Sequence, residues 1–254
     1  EVPVAARPWK ARRHHRATAR DGALLKAAIP DPVERGAFRL VRAYLARDRD
    51  MRMRVYPSLA LVAVFPVLAI LDPKGSAQMG GIMTIFMLGT LPATAMMTFK
   101  MSPHWAAADL FRHAPIHGTA ALFHGVRKAF LTLLVLPGLV VCGVVLWLGV
   151  EDHHNLRLAL PALLAIPTLS LLDGMAGDYL PLSIAPTGGR QGAVNLGMMM
   201  LGFVCLALFA GLGALADSQG WLWQMMAAEV ALLALVHPLM LRGIRARALG
   251  RVEA

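Results

Sequence analysis

The sequence has few charged residues and almost no cysteine. Only 16% of its 254 residues are charged and 57% are hydrophobic, with a mean hydropathy of +0.57, whereas soluble domains carry about 25% charged residues. This shortage of charge excludes an ordinary soluble domain and predicts an integral membrane protein. The two cysteines, Cys142 and Cys205, lie in apolar runs, which favours buried thiols over a disulfide or a metal site.

Several motifs are also missing. The sequence contains no Walker A motif, no GxSxG and no other glycine-rich phosphate-binding motif. The chain therefore cannot hydrolyse ATP by Walker machinery, and we expect no cofactor within it. The N-terminus is polar for about fifty residues, so no signal peptide is visible. The chain begins with Glu1 rather than methionine, which indicates a processed chain or a piece of a longer one.

Six apolar runs approach or reach the length of about 17–25 helical residues that crosses a bilayer. They are Val55–Leu71, Gln78–Phe99, Ala129–Val150, Leu158–Leu172, Ala193–Ala216 and Trp221–Leu241. The fourth run is short and contains Pro161 and Pro167, so we expect it to be kinked or only partly inserted. The predicted fold is an all-α membrane protein with six transmembrane helices in residues 55–241.

The 25 Lys and Arg residues are distributed very unevenly. With the N-terminus inside, the inner segments hold 23 of them and the outer loops only Lys74 and Arg157. Cytoplasmic loops are enriched in Lys and Arg, so both termini and residues 100–128 are predicted to be cytoplasmic. Both termini are basic and therefore predicted to lie on the same side of the membrane, which requires an even number of spans.

The net charge of +10 comes mainly from the segment ahead of the first apolar run, which holds 14 of the basic residues. A basic block beside a span is typical of an anchor to anionic membrane lipid rather than a nucleic-acid site. Residues 1–30 are expected to be poorly ordered. Residues 31–54 are predicted to form an amphipathic helix on the inner leaflet, with Asp31 or Asp48 as a cap. Residues 242–254 are predicted to be a basic cytoplasmic tail.

The connector of residues 100–128 contains four candidate metal ligands that would share one face of a continuous helix, within about 80°. These are Asp109, His113, His117 and His124. Histidine pairs four residues apart can bind zinc or iron. However, Pro115 and Gly118 interrupt the helix, and no HExxH motif is present. Interfacial polar residues on a broken helix are therefore favoured, and a metal site is the alternative.

A second string resembles part of an enzyme signature. Residues 173–190, DGMAGDYLPLSIAPTGGR, are similar to the start of the CDP-alcohol phosphatidyltransferase signature, in which aspartates hold a metal on the nucleotide diphosphate. Gly177 stands where that signature has arginine, and no later pair of aspartates four residues apart follows. A cytoplasmic turn is favoured. The alternative is a metal-dependent membrane enzyme of lipid metabolism that uses Asp173 and Asp178 or the histidine face.

Polar groups inside the predicted spans form a third set of candidates, because ionisable groups are costly to bury in a bilayer. Glu229 lies near the middle of the sixth run, with His237 two turns later on a similar face. Thr90, Thr94 and Thr98 form a polar stripe along the second run. A translocation path is the functional interpretation, and hydrogen bonding between helices is the alternative.

Two strings, at the entry to the first run and in the connector, contain several short motifs. RDRDMRMRVYPSL enters the first run, and HWAAADLFRHAPIHGTAALFHGVRKAF joins the second to the third. They contain RVYP, a Trp-Ala-Ala string, an aromatic-basic pair before Ala-Pro, and Gly-x-x-Lys-Ala. With these motifs in this order, the two strings resemble a group of bacterial ABC exporter membrane subunits. The resemblance covers residues 38–135.

The resemblance implies a permease subunit of the cytoplasmic (inner) membrane that exports an unidentified substrate. It also implies a second permease half or a homodimer, and a separate ABC ATPase subunit that holds ATP and Mg. The connector would be the coupling segment that contacts this ATPase, through Trp105, Phe111, Arg112 and Pro115. Aromatic and arginine side chains commonly anchor interfaces. A transporter subunit is thus favoured over an enzyme, and we expect the connector to form short helices along the membrane surface, broken near Pro115 and Gly118.

Overall fold

The computed structural model describes part of the chain in atomic detail. The described residues are 25–71, 77–102, 105–109, 111, 119–149, 157, 160–175, 179–184 and 189–249. Within these ranges the fold is all-α, and the only extended pairing is an isolated bridge between Met101 and Ile184. Most of the N-terminal segment 1–30 and the last five residues lie outside the described residues, so the predicted disorder of the former stays a prediction.

Two aspartates divide the predicted amphipathic segment into two helices. Helix α1 covers Pro32–Arg47 and α2 covers Arg49–Leu71. The Asp31 carboxylate accepts a hydrogen bond from Val33 N at 2.7 Å, and Asp48 caps α2 in the same way by accepting from Asp50 N at 2.8 Å. Both aspartates therefore act as N-caps. The amphipathic helix ends at Arg47, and the basic residues from Arg49 onward belong to the first long helix.

Five helices among the described residues are long and apolar enough to cross a membrane. They are Arg49–Leu71, Gly80–Lys100, Ala120–Gly149, Met200–Ser218 and Leu222–Ala246. Many of their large apolar side chains face outward, which suits contact with lipid tails. The described residues thus form an all-α, multi-pass membrane protein, which confirms the coarser part of the sequence prediction.

The second and third long helices differ in their regularity. Helix α3 covers Ala77–Lys100. The third consists of α4 (Ala120–Phe130), a π-helical turn (Leu131–Val135) and α5 (Leu136–Gly149). Pro137 lacks an N–H and its ring would clash with the carbonyl four residues earlier in a regular α-helix, so the wider turn before it relieves that conflict.

The third long helix begins nine residues before the predicted boundary at Ala129. At 1.5 Å per residue its 30 residues measure about 45 Å, longer than the hydrocarbon core of about 30 Å. Its first turns can therefore extend beyond the apolar layer. Arg127 and Lys128 lie within these turns, which explains why the sequence pattern placed the boundary after them.

The fourth predicted span is much shorter than the others. Helix α6 covers Leu160–Leu169 and is followed by the four-residue helix α7, Leu172–Met175. Ten residues of α-helix rise about 15 Å, roughly half of the hydrocarbon core. This segment is accordingly not among the five long helices, in agreement with the weakness of its sequence signal.

The last two helices form a long hairpin. Helix α8 covers Gly189–Ser218 and α9 covers Leu222–Leu249. Gly220 makes the tight turn with a φ of 75°, a left-handed conformation that costs glycine little. Helix α9 continues eight residues past the predicted end of the sixth span, so much of the predicted basic tail is helical.

The core lies near one end of the bundle, where α1, α3 and α4 meet. Aromatic rings connect these helices: the Tyr44 and Phe99 ring centres are 5.5 Å apart, and those of Phe99 and Phe130 are 5.9 Å apart. Phe123 and Tyr179 continue the cluster at 5.4 Å. Edge-to-face pairs of this kind add about 0.5–1.5 kcal/mol each beyond the area they bury. Among the described residues, the end that carries α1 therefore has a connected aromatic core.

Candidate functional site

Helix α1 packs directly on α4 at the end that the charge pattern predicts to be cytoplasmic. A Cβ atom built on Gly125 would lie 2.8 Å from both the Ala37 Cβ and the Glu34 Cα, so only glycine permits this approach. Beside it, the Lys128 ammonium forms an ion pair and hydrogen bond with the Glu34 carboxylate. Because α4 continues into α5, the amphipathic helix is attached to the start of a membrane-crossing helix.

The predicted coupling residues are only partly located. Trp105 begins a 3-10 turn, Trp105–Ala108, and is 51% exposed, whereas Ala108 in the same turn is buried. Phe111 is half-buried and packs against the core. Arg112 and Pro115 lie outside the described residues. The connector therefore has one side held in the core and presents a large aromatic side chain on its surface.

The two described residues of the predicted histidine face, Asp109 and His124, lie in different surroundings. Asp109 is exposed at the end of the 3-10 turn. His124 is buried within α4 beside the Phe123 ring, with 5.4 Å between ring centres. His113 and His117 lie outside the described residues. Among the residues that the structure describes, no group of three or more His, Cys, Asp or Glu side chains could hold a metal ion.

The threonine stripe of α3 is satisfied by its own helix. Thr90 donates to Met87 O at 3.1 Å, Thr94 to Thr90 O at 3.1 Å, and Thr98 to Thr94 O at 2.8 Å. Such back-bonding to the preceding turn is common for hydroxyl side chains in helices. The hydroxyl protons are therefore used, while the lone pairs of each hydroxyl oxygen can still accept.

Helix α9 carries two further candidates. Glu229 is only 3% exposed, and neither of its carboxylate oxygens has a hydrogen-bond partner among the described residues. His237 Nδ1 lies 3.2 Å from Thr168 Oγ1 on α6. Glu229 thus lies in the protein interior rather than on the outer surface of this chain, and His237 connects α9 to the short helix.

Arg127 is a buried cation that the sequence analysis counted only as a loop charge. Its side chain is held at the end of α6, where Nε donates to Ser170 Oγ at 2.7 Å and Nη2 donates to Pro167 O. The last carbonyls of a helix lack internal partners and attract positive charge. Arg127 therefore caps α6 and lets the helix stop inside the bundle. The shortness of the fourth run, with two prolines inside it, is the sequence signal that could have indicated an early helix end in need of such a donor.

Asp173 lies on α7, beyond the end capped by Arg127. It lines a recess between α3, α6, α7 and α8 together with Thr90, Ser170 and apolar side chains. Its Oδ2 atom is buried and accepts no hydrogen bond from the described residues. Asp178, the second residue of the enzyme-like string, lies outside the described residues. The structure brings Thr90 and Asp173 together, although the sequence analysis assigned them to different hypotheses.

The loop after α7 is anchored to the end of α3. Tyr179 is buried and its hydroxyl donates to Met96 O at 2.9 Å, and Ser102 N donates to Ile184 O at 3.1 Å. Burial, with the nearby Asp173 charge, raises the pKa of the Tyr179 phenol well above its usual value. This loop therefore holds the start of the connector in place.

Comparison of the chain with protein-family models, with curated proteins and with solved structures finds no match. The functional conclusion accordingly rests on the positions of the residues described above and on the resemblance of the connector.

Proposed function

We propose that the chain is the transmembrane permease subunit of an ABC-type exporter in the bacterial inner membrane. In this proposal six segments enter the membrane, both termini are cytoplasmic, and ATP with Mg is bound by a separate ATPase subunit. A second permease half or a second copy of the chain completes the pathway. The positive-inside distribution of Lys and Arg supports the orientation.

The single observation that supports the proposal is the packing of the connector against the core that includes α4. Trp105 is exposed, whereas Phe111 from the same connector packs on the core. The core includes α4, which α1 holds through Gly125 and the Lys128–Glu34 ion pair. A push on Trp105 by a partner would therefore move a packed unit that extends into α5, which is what coupling of ATP hydrolysis to transport requires.

Association with an ATP-binding subunit tests the proposal. The chain, expressed with an affinity tag in its own host and purified from the membrane, should co-purify with an ATP-binding protein. Replacing Trp105 and Arg112 by alanine should leave the chain inserted and monodisperse. Truncated interface anchors commonly cost about 2 kcal/mol or more each, so the double variant should lose most of the bound ATPase and uncouple its hydrolysis from transport.

Trp221→Ala is the matched control. Trp221 is 50% exposed like Trp105, but it directly precedes α9 at the opposite, predicted outer end. This variant should retain the ATPase. If no ATP-binding protein accompanies the chain, or if Trp221→Ala releases it as strongly as the double variant, the permease assignment is rejected.

The membrane enzyme of lipid metabolism stays the second candidate, because Asp173 lies in a recess with an unpartnered buried oxygen. It predicts stoichiometric metal in the purified protein, lost on Asp173→Asn and Asp178→Asn or on His113→Ala and His117→Ala. A metal-free wild-type protein that binds an ATPase would reject it.

A further inference from the structure

The two halves of the third long helix have different surroundings. Eight of the eleven residues of α4 are buried, and Leu134 and Val135 of the π-helical turn still belong to the main core. In α5 only Cys142 and Leu146 are buried among fourteen residues. The helix therefore leaves the main core at the turn and continues with most of its surface facing outward.

Beyond the turn, α5 packs in a separate and smaller cluster. Cys142 and the half-buried Leu139 lie there with Val62 of α2 and Leu88 of α3. No described residue of α1 belongs to this cluster, whereas α1 is attached to α4 by the glycine contact and the ion pair described above. The first half of the long helix is thus fixed to α1, and the second half is fixed to the outer parts of α2 and α3.

Backbone hydrogen bonding is interrupted at the same place. The N–H of Leu136 donates to Leu131 O, five residues earlier, and so bypasses the carbonyl of Thr132 that an α-helix would use. Pro137 has no N–H to offer the carbonyl of Leu133. Two consecutive carbonyls therefore lose their usual α-helical donors. Sharp bends in helices occur at prolines and at π-turns, and both causes coincide here.

We propose that the π-helical turn is a hinge at which α5 changes its angle to the unit formed by α1 and α4. Helix α5 is about 21 Å long, so a change of about 20° would move its outer end by about 7 Å. Because most of α5 faces outward, this movement breaks few contacts with the main core. The use of the hinge to transmit movement from the connector rests on the proposed permease function, whereas the hinge itself does not.

Spin-label distances in the full chain, measured by double electron–electron resonance in phosphatidylcholine nanodiscs, test the proposal. In a background with Cys142→Ser and Cys205→Ser, labels are placed at two exposed positions, Ala43 on α1 and Leu148 at the outer end of α5. Their distance should be spread over about 7 Å. The control pair is Ala43 with the exposed Arg242 on α9, which does not cross the turn and should give a narrow distribution.

Straightening the turn should remove this spread. Deletion of the exposed Thr132 together with Pro137→Ala returns the extra residue and the missing donor to α-helical order, and should leave one narrow distribution. Pro238→Ala is the matched control, because Pro238 is also exposed inside a long helix but has no π-turn beside it; it should keep the spread. Size exclusion checks folding, and if the deletion variant is not folded, Pro137→Ala alone should narrow the distribution.

A narrow distribution in the parent chain, or a control pair that is equally broad, overturns the hinge. An unchanged spread in the folded straightened variant does so too. A broad parent distribution in a chain that recruits no ATPase would reject the permease function and leave the hinge intact. A narrow one in a chain that co-purifies with its ATPase would reject the hinge alone.

Discussion

Lys128 forms an ion pair with Glu34, a residue 94 positions earlier in the chain. The pair joins the start of the third long helix to the first turn of α1. Glu34 is largely covered, whereas Lys128 is 39% exposed, and pairs this open to solvent contribute little on their own. Its importance is positional, because it lies beside the closest approach of the two helices at Gly125.

Gly125→Ala should separate α1 from α4. The added methyl group would meet the Glu34 backbone and the Ala37 side chain, and overpacking of this kind costs about 1–3 kcal/mol. Gly143→Ala is the control, since an added Cβ there meets nothing within 4 Å. Thermal unfolding in detergent should show a lower melting temperature for the first variant only. Equal melting temperatures would mean that the α1–α4 contact is looser than described.

Arg127 and Ser170 should be energetically coupled. Ser170→Ala leaves the buried Nε without its acceptor, and Arg127→Met removes the donor that caps α6; each should lower the free energy of unfolding by about 1–3 kcal/mol. The double variant should lose less than the sum, with a coupling energy of about 0.5–3 kcal/mol. A strictly additive double variant would show that the hydrogen bond contributes nothing. Arg242→Met, at an exposed position, should be nearly neutral.

Glu229→Leu should raise the melting temperature of the isolated chain. A buried carboxyl group without a hydrogen-bond partner costs about 1–3 kcal/mol on protein scales, and none of the described residues supplies that partner. Val230→Leu, at an exposed neighbouring position, is the control. A large loss of stability in Glu229→Leu would indicate a polar partner for the carboxyl group and contradict this prediction.

Tyr179 should make the protein sensitive to alkaline pH. Burial raises the pKa of its phenol, so the folded chain keeps the proton when the unfolded chain loses it. The contribution is complete below the unfolded pKa of about 10 and is lost as pH rises above it. Tyr179→Phe should flatten this alkaline loss in thermal unfolding between about pH 9 and 11, whereas Tyr56→Phe, at an exposed position, should not. Parallel pH profiles for all three proteins would refute the prediction.

The orientation can be tested by cysteine labelling from outside the cell. In a background without Cys142 and Cys205, a cysteine at Ser218 or Asn155 should be labelled by a membrane-impermeant reagent, and one at Ala120 should not. The expectation follows from the 23-to-2 division of basic residues. Labelling at Ala120 in intact cells would reverse the orientation.

The local features of the fold could be predicted from the sequence because their causes are local. Asp31 and Asp48 are predicted as helix caps and act as caps. The prolines of the fourth run indicate that it does not form a full-length membrane-crossing helix. The start of α4 was missed because hydropathy places the charged groups of Arg127 and Lys128 outside a span. Their compensating partners, Ser170 and Glu34, come from distant parts of the chain.

The candidate sites could be predicted only as separate residues. Thr90 and Asp173 were each identified, but nothing in their spacing indicates that they line one recess. Their proximity depends on α6 ending early, which in turn depends on the cap from Arg127. Contacts between residues far apart in the chain are not visible in local sequence patterns. Trp105, which is exposed, could be identified as an interface candidate from its local motif alone.

The π-helical turn at Leu131–Val135 has a consequence for the geometry of the third long helix. A π-turn accommodates one residue more than an α-turn, so every side chain after it is rotated by about 100° from the position that an unbroken α-helix would give it. A helical wheel drawn through Ala120–Gly149 as one helix would therefore assign the faces of its second half wrongly. Deleting a single residue within the turn should restore a regular α-helix and keep the relative orientation of its two halves, because a π-turn holds one residue more than an α-turn.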